Sequence, residues 1–394
     1  MAADHPRKVF PIAQRMGDIG PFHVMELLGR ARELEALGRS IVHMEIGEPD
    51  FTTPQPVIAA AQRALAEGRT HYTPALGLPA LREAISGFYQ SRYGVAVPAS
   101  RIVVTPGASG ALLLALGVVL DRDSEVLLAD PGYPCNRHFV RFIEGRARPI
   151  AVGAATDYQL TAELLASHWS DATRAAMVAT PSNPTGTLIP AGELAAMAGL
   201  VADKGGALLV DEIYHGLVYD SAAPTALASS DELFVINSFS KYFSMTGWRL
   251  GWLVVPEAYL RQVEKLAQNL FIAAPTLAQY AALAAFEEET LAILEQRRQA
   301  FRQRRDFLLP ALRGLGFEIP VTPQGAFYLY ADCSRFSDDS FRFATELLEQ
   351  AGVAVTPGID FGDYLPQRHL RFAYTTSLEN LAEGVERIRR HLGL

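Results

Sequence analysis

The chain has 394 residues, 49% of them hydrophobic and 20% charged, which suits one large domain with a smaller companion in a soluble globular protein. A net charge of −8 speaks against nucleic acid as a partner, because a phosphate backbone demands a basic surface. The opening MAADHPRKVFPIAQRMG has no apolar stretch of signal-peptide length. The longest apolar run, Ala111 to Leu120, is far short of the ~20 residues a bilayer requires, so no membrane partner is expected.

Residues 22–38 repeat apolar positions at helical spacing and stop at a glycine, predicting a first helix. Ile41 to Ile46 reads as a short strand broken by GEPDF. Between about 100 and 255 short apolar runs alternate with helical stretches: strands over 101–105, 125–129, 175–179, 207–210 and 233–236, with helices over 109–120 and 191–204. Strands apolar on both faces and separated by helices predict a mostly parallel sheet covered on both sides. Residues 257–313 read as almost continuous helix interrupted by Pro275 and Pro310. The arginines at 297, 298, 302, 304 and 305 read as its solvated face. A strand over 326–330, a helix over 340–351, strands over 353–356 and 369–373 and a helix from Leu378 predict a small α+β unit. Cys135 and Cys333 form no CxxC and read as structural free thiols in a reducing compartment, by default the cytoplasm.

Ligands of open α/β sheets collect at the carboxyl ends of the strands. There this chain places TPGASG at the start of a helix, whose free N–H groups suit a phosphate. The other ends carry Tyr133 in DPGYP, Asn183 in PSNPTG, Asp211 and Tyr214 in DEIY, and Ser238 with Lys241 in SFSK. One such residue is ordinarily a cap; the set together predicts a site. His215, beside Tyr214, reads as structural rather than as a metal ligand, since the nine histidines form no HExxH and no close cluster.

With GEPDF, HYTPALGLPALREAI, TPGASGAL, DPGYP, NPTG, DEIY, SFSK with GWRLG, and LRF in this order, nearly the whole chain resembles the pyridoxal-phosphate-dependent aminotransferases of fold type I, class I/II, related to aspartate aminotransferase. The resemblance implies a fold type I architecture, with a large domain (46–284) built on a seven-stranded-type, mostly parallel sheet. A smaller α+β domain (285–394) would be joined by the N-terminal segment 1–45. It implies a ping-pong transaminase acting on an amino acid and a 2-oxo acid, with pyridoxal 5'-phosphate as cofactor and no metal.

By resemblance Lys241 forms the Schiff base, Asp211 pairs with the pyridine nitrogen, and Asn183 with Tyr214 reaches the ring hydroxyl. Tyr133 stacks on the ring, while Gly107, Ala108, Ser109, Ser238 and Arg249 hold the phosphate. Arg371 binds the substrate α-carboxylate beside Gly47 and Asn183. Tyr72 reaches the phosphate of the neighbouring subunit's site, which implies a homodimer with shared sites. Burial among cations lowers a lysine pKa, and a guanidinium fork suits a phosphate or carboxylate.

A dicarboxylate donor would need a further cation. Between Arg261 and Arg297 the chain offers only Lys265, on a helix that reads as solvated; Ser109 stands where some relatives carry lysine, and Ile19 and Phe22 bring apolar groups. The expected donor is therefore neutral or apolar, with 2-oxoglutarate or pyruvate as acceptor. A C–S β-lyase shares the same cofactor residues and stands as the alternative. An aminotransferase-like regulator would need a basic DNA-binding module, for which the chain ahead of residue 22 leaves no room.

Overall fold

The alternating apolar runs form the strands of one central sheet. The computed structural model of the chain describes residues 10–220 and 223–394; the reading of the first nine residues lies outside these. The first strand, β1 (Val42–His43), stands apart. Strands β2 (Ile102–Thr105), β3 (Glu125–Asp130), β4 (Arg146–Ala151), β5 (Thr173–Ala179), β6 (Ala207–Asp211), β7 (Phe234–Ser238) and β8 (Gly251–Val254) form a seven-stranded sheet in the order β2-β8-β7-β6-β5-β3-β4. Its pairings are parallel except around β8, which runs antiparallel to both β2 and β7.

The helices of the N-terminal half are α1 (His23–Ala36), α2 (Gln55–Ala66), α3 (Pro79–Tyr93), α4 (Gly107–Val119), α5 (Cys135–Phe142), α6 (Ala162–His168) and α7 (Ala191–Asp203). They are followed by α8 (Leu260–Leu270), α9 (Thr276–Leu283), α10 (Glu288–Leu315), α11 (Ser340–Glu346) and α12 (Leu378–His391). Side chains alternate across the sheet, as the two-residue period of a strand requires. Leu127, Leu208, Val210 and Val235 share a core with Leu194, Met197 and Val201 of α7. Val126, Leu209, Phe234 and Ile236 pack with Leu112 and Leu116 of α4 and Val263 of α8. A fully apolar strand is thus explained by helices on both faces.

The last third adds β9 (Tyr328–Asp332), β10 (Val353–Ala354), β11 (Thr356–Pro357) and β12 (His369–Ala373). Strands β11, β12 and β9 form an antiparallel sheet, while β1 pairs in parallel with β10 and ties the N-terminal segment to this region. No helix among the described residues is long and apolar enough to cross a membrane.

Three features differ from the sequence reading. Strand β4 carries Arg146, Arg148 and Pro149, a polar composition tolerated because it is an edge strand paired on one side only. Pro310 does not interrupt α10; it lies on an exposed side near the helix end, where water can satisfy the backbone group it leaves unpaired. Two of the arginines of α10, Arg304 and Arg305, do not belong to a solvated face. Arg304 is 7% exposed and forks onto Asp50 at 2.7 and 2.8 Å, and Arg305 is 4% exposed and reaches Asp220 at 2.6 Å. Their charges are buried but paired, which ties α10 to the GEPDF loop through Asp50 and to the segment after β6 through Asp220.

Candidate active site

The carboxyl ends of β5, β6 and β7 open into a cavity of about 330 Å³. Asp211 ends β6 and is 6% exposed; its Oδ1 accepts the backbone N–H of Ile213 at 2.9 Å. Burial pushes its carboxyl up to about 6, with the nearby Lys241 charge acting in the opposite sense. Lys241 follows β7, and its Nζ donates to the Gly47 carbonyl at 2.7 Å. Burial brings the lysine down to about 8, helped by the cations Arg371 and Arg249 and opposed by Glu48 and Asp211. An amine of such pKa has about a tenth of its population neutral, and therefore nucleophilic, at pH 7, far more than an ordinary lysine.

A cradle lies beside Lys241. Helix α4 begins at Gly107 (φ +69°) with no side-chain cap and no acidic residue in its first turn, and Ala108 and Ser109 line the cavity. The uncapped N–H groups and the helix dipole suit an anion. The Arg249 guanidinium lies over this turn: a Cβ on Gly107 would stand 2.7 Å from Arg249 Nη2, so glycine is needed here. Arg249 itself sits at φ +52°, a left-handed conformation that costs a non-glycine residue about 1 kcal/mol or more.

Across the cavity, Arg371 of β12 is 3% exposed and lies between two rings, 4.3 Å from the centroid of Tyr328 and 4.9 Å from that of Phe361. Its Nη1 donates to Asn183 Oδ1 at 3.0 Å, and its Nη2 to the Glu45 carbonyl at 2.5 Å and to Thr356 Oγ1 at 3.1 Å. Its Nε is buried without a partner. Tyr214 and Tyr328 share a hydrogen bond between their hydroxyls at 2.8 Å. The Tyr328 hydroxyl also explains Gly47, where a Cβ would lie 2.0 Å from it. Burial raises the Tyr214 hydroxyl well above its usual range, so it stays protonated.

The structure therefore brings together, on one cavity wall, Gly47, Ala108, Ser109, Tyr133, Asn183, Asp211, Tyr214, Lys241, Arg249 and Arg371, with Gly107 behind Arg249. It does not bring Ser238 to that wall. Ser238 is 1% exposed with its hydroxyl turned to Ser240 and the Leu250 carbonyl, and Ser240 lines the cavity instead. Tyr72 is 81% exposed and away from the cavity. Phe22 lines the cavity as expected, but Ile19 does not, and Lys265 lies exposed on α8. His215 stacks on Tyr93 (centroids 4.9 Å) and pairs with Glu212 at 3.1 Å, a buried structural position. The sequence reading missed Tyr328, Thr356 and Phe361. They sit in apolar strand and turn contexts where nothing in the pattern separates a site residue from core.

The chain matches the model of the family "Aminotransferase class I and II" over residues 39–388. It is 40% identical to the valine–pyruvate aminotransferase of Mycobacterium tuberculosis over 96% of this chain and 97% of that protein. It is 36% identical to the aspartate/prephenate aminotransferase of Thermus thermophilus over 97% of this chain and 99% of that protein. A crystal structure of an aminotransferase from Mycobacterium tuberculosis superposes with a TM-score of 0.95 at 39% identity, covering 98% of this chain and all of that one. Its fold is that of the fold type I enzymes, and the chain belongs to the class I and II aminotransferase family.

Proposed function

We propose that this aminotransferase moves the amino group of a neutral or apolar L-amino acid to a 2-oxo acid, pyruvate above all, in two ping-pong half-reactions. Pyridoxal 5'-phosphate, the cofactor of this family, would supply an electron sink for the α-carbon. The residues present fit it. The uncapped α4 turn with Arg249 suits its phosphate, buried Asp211 suits its ring nitrogen, and Asn183 and Tyr214 suit its ring hydroxyl. Tyr133 would cover the ring face, and Lys241 is the covalent anchor. Ser240 is a further candidate for the phosphate beside Ser238.

Arg371 binds the α-carboxylate of the substrate and orients the α-carbon toward Lys241. Lys241, brought down to about 8, would act as the general base that takes the proton from that carbon and holds it at Nζ. Tyr214, held by Tyr328, would donate its hydrogen bond to the ring hydroxyl oxygen of the bound cofactor.

The composition of the cavity wall carries the donor assignment. Among the described residues its only Lys or Arg side chains are Lys241, Arg249 and Arg371, all with roles above. The wall where a side chain would lie is Phe22, Val24, Met25, Ile46, Leu112 and Phe139. Burying a second carboxylate there without a partner would cost several kcal/mol or more. The valine–pyruvate activity named for the Mycobacterium tuberculosis relative points the same way. The test is kcat/KM for alanine, valine, leucine, phenylalanine and aspartate against fixed pyruvate. Aspartate leading by roughly tenfold, about 1.4 kcal/mol in the barrier, would overturn the assignment.

We further propose a homodimer in which Tyr72 of each protomer completes the other's phosphate site. Tyr72, Phe10, Ile12 and Ile272 are large apolar groups left exposed in a single protomer. The proposed division is a large domain over 46–284 and a small one over 285–394 that includes residues 1–45, supported by the pairing of β1 with β10. The acidic composition and the two free cysteines support a cytoplasmic location.

A further inference from the structure

Helix α1 lends the cavity three of its apolar walls, Phe22, Val24 and Met25, yet nothing within the helix caps its start. A helix leaves its first N–H groups without intrahelical partners, and a carboxylate is the strongest acceptor for them. Here it comes from the far end of the chain. Asp360 accepts the His23 N–H through Oδ1 and the Val24 N–H through Oδ2, both at 2.9 Å, and is 2% exposed. These two charge-assisted bonds join residues more than three hundred positions apart.

The segment carrying Asp360 is itself held firmly. Asp130, at the end of β3, accepts the Asp363 N–H at 2.9 Å and the Tyr364 N–H at 3.2 Å. Gly132 donates to the Phe361 carbonyl at 2.8 Å, and Arg137 to the Asp360 carbonyl at 3.3 Å. Gly362 adopts φ +150°, and a Cβ there would lie 1.8 Å from Asp130 Oδ1, so a side chain has no space. The next residue after Asp360, Phe361, is 1% exposed and presses its ring on the Arg371 guanidinium.

We propose that Asp360 is a positioning residue for donor selection: by capping α1 it sets the distance between the carboxylate-binding arginine and the apolar wall that meets the donor side chain. Two consecutive residues do this, Phe361 backing Arg371 and Asp360 fixing the start of α1. A donor anchored by its carboxylate at Arg371 is therefore measured against a wall hung from the same turn. On this proposal a methyl side chain leaves that wall unused, whereas the longer isobutyl group makes use of it. The inference rests on the proposed reading of Arg371 and of the donor class.

The test compares the cofactor-loaded full chain with its Asp360→Ala and Asp360→Asn variants; Asn keeps one acceptor oxygen and serves as the milder change. Two readouts are needed: hydrogen exchange at the His23 and Val24 amides, and separate KM and kcat values for leucine and alanine. In Asp360→Ala the two amides should exchange about tenfold faster or more, and the KM for leucine should rise roughly five- to tenfold. The kcat for leucine and the KM for alanine should stay within about twofold, with Asp360→Asn between the two. Equal losses for leucine and alanine would overturn the proposal, because they would show a merely structural role. Faster amide exchange with an unchanged leucine-to-alanine ratio would overturn it as well. Wild-type protein that turns over neither donor would refute the donor reading and donor selection with it. Exchange at the two amides would then still decide whether Asp360 caps α1, so the two failures are distinguishable.

Discussion

The Nζ of Lys241 donates to the carbonyl oxygen of Gly47 at 2.7 Å, so the one lysine that lines the cavity among the described residues is held by the backbone of the GEPDF loop. That carbonyl takes a proton of the amine but brings no full negative charge, and burial dominates the titration. The lysine falls from 10.5 to about 8.

In the protein without cofactor, Lys241 should therefore react with a small acylating reagent with a half-maximal rate near pH 8, read by mass spectrometry. The sign for stability follows from the same shift. Between about 8 and 10.5 the unfolded chain binds more protons at this position than the folded one, so this group's contribution to stability rises with pH across that window. A Lys241 profile with its half-maximal rate near ~10.4, the value of a free lysine side chain, would refute the assignment of a perturbed amine.

Asp211 should show opposite effects on activity and stability. Its carboxyl is raised to about 6 by burial, so above that pH an ionised side chain is held in the fold at a cost. Asp211→Asn should raise the Tm of the cofactor-free protein at pH 7.5 by ~2 °C or more, while Asp211→Ala lowers kcat by about 10³. Asp211→Glu, which keeps the charge, should retain far more activity. Parallel loss of stability and activity in the Asn variant would mean that Asp211 is a structural residue.

Gly47 and Tyr328 should be coupled. Gly47→Ala places a methyl group 2.0 Å from the Tyr328 hydroxyl, which would have to leave its 2.8 Å bond with Tyr214. The single variant should lose about 1–3 kcal/mol of stability in denaturant unfolding. Tyr328→Phe removes the clashing oxygen, so the double variant should recover about 0.5 kcal/mol or more relative to the sum of the singles. Simple additivity would show that the hydroxyl is not the obstacle.

Most of the sheet was legible because its strands are apolar on both faces, as in Leu208-Leu209-Val210 and Phe234-Val235-Ile236. Strand β4 was hidden because Arg146, Arg148 and Pro149 are the residues of an edge, and an edge lacks the two-sided burial that makes a strand readable. Lys241, Asp211, Asn183 and Arg371 stood out as polar groups at strand ends or in motifs. Their supports did not. Tyr328 and Phe361 look like core in sequence, and only the fold stacks them on Arg371. The α10 arginines misled for the opposite reason: helical spacing reports a face, not what packs against it, and Asp50 lies 254 residues away from Arg304.

Tyr72 tests the assembly. Tyr72→Phe and Lys241→Ala, each impaired alone, should regain activity when mixed and allowed to exchange subunits, since one of the two sites in the heterodimer is then intact in both groups. Sedimentation should show a dimer in the concentration range of the assay. An active monomer would contradict the shared site.

The account stands or falls on Lys241 as the anchor of the cofactor. Reducing the pyridoxal-phosphate-loaded protein with borohydride, digesting it and sequencing the peptides by mass spectrometry tests this directly. The predicted result is a single modified lysine, Lys241, in the peptide between Ser238 and Arg249, with no modified peptide at that position in Lys241→Ala. Label on Lys204 or Lys265 in its place, or a loaded protein that carries none, would contradict it.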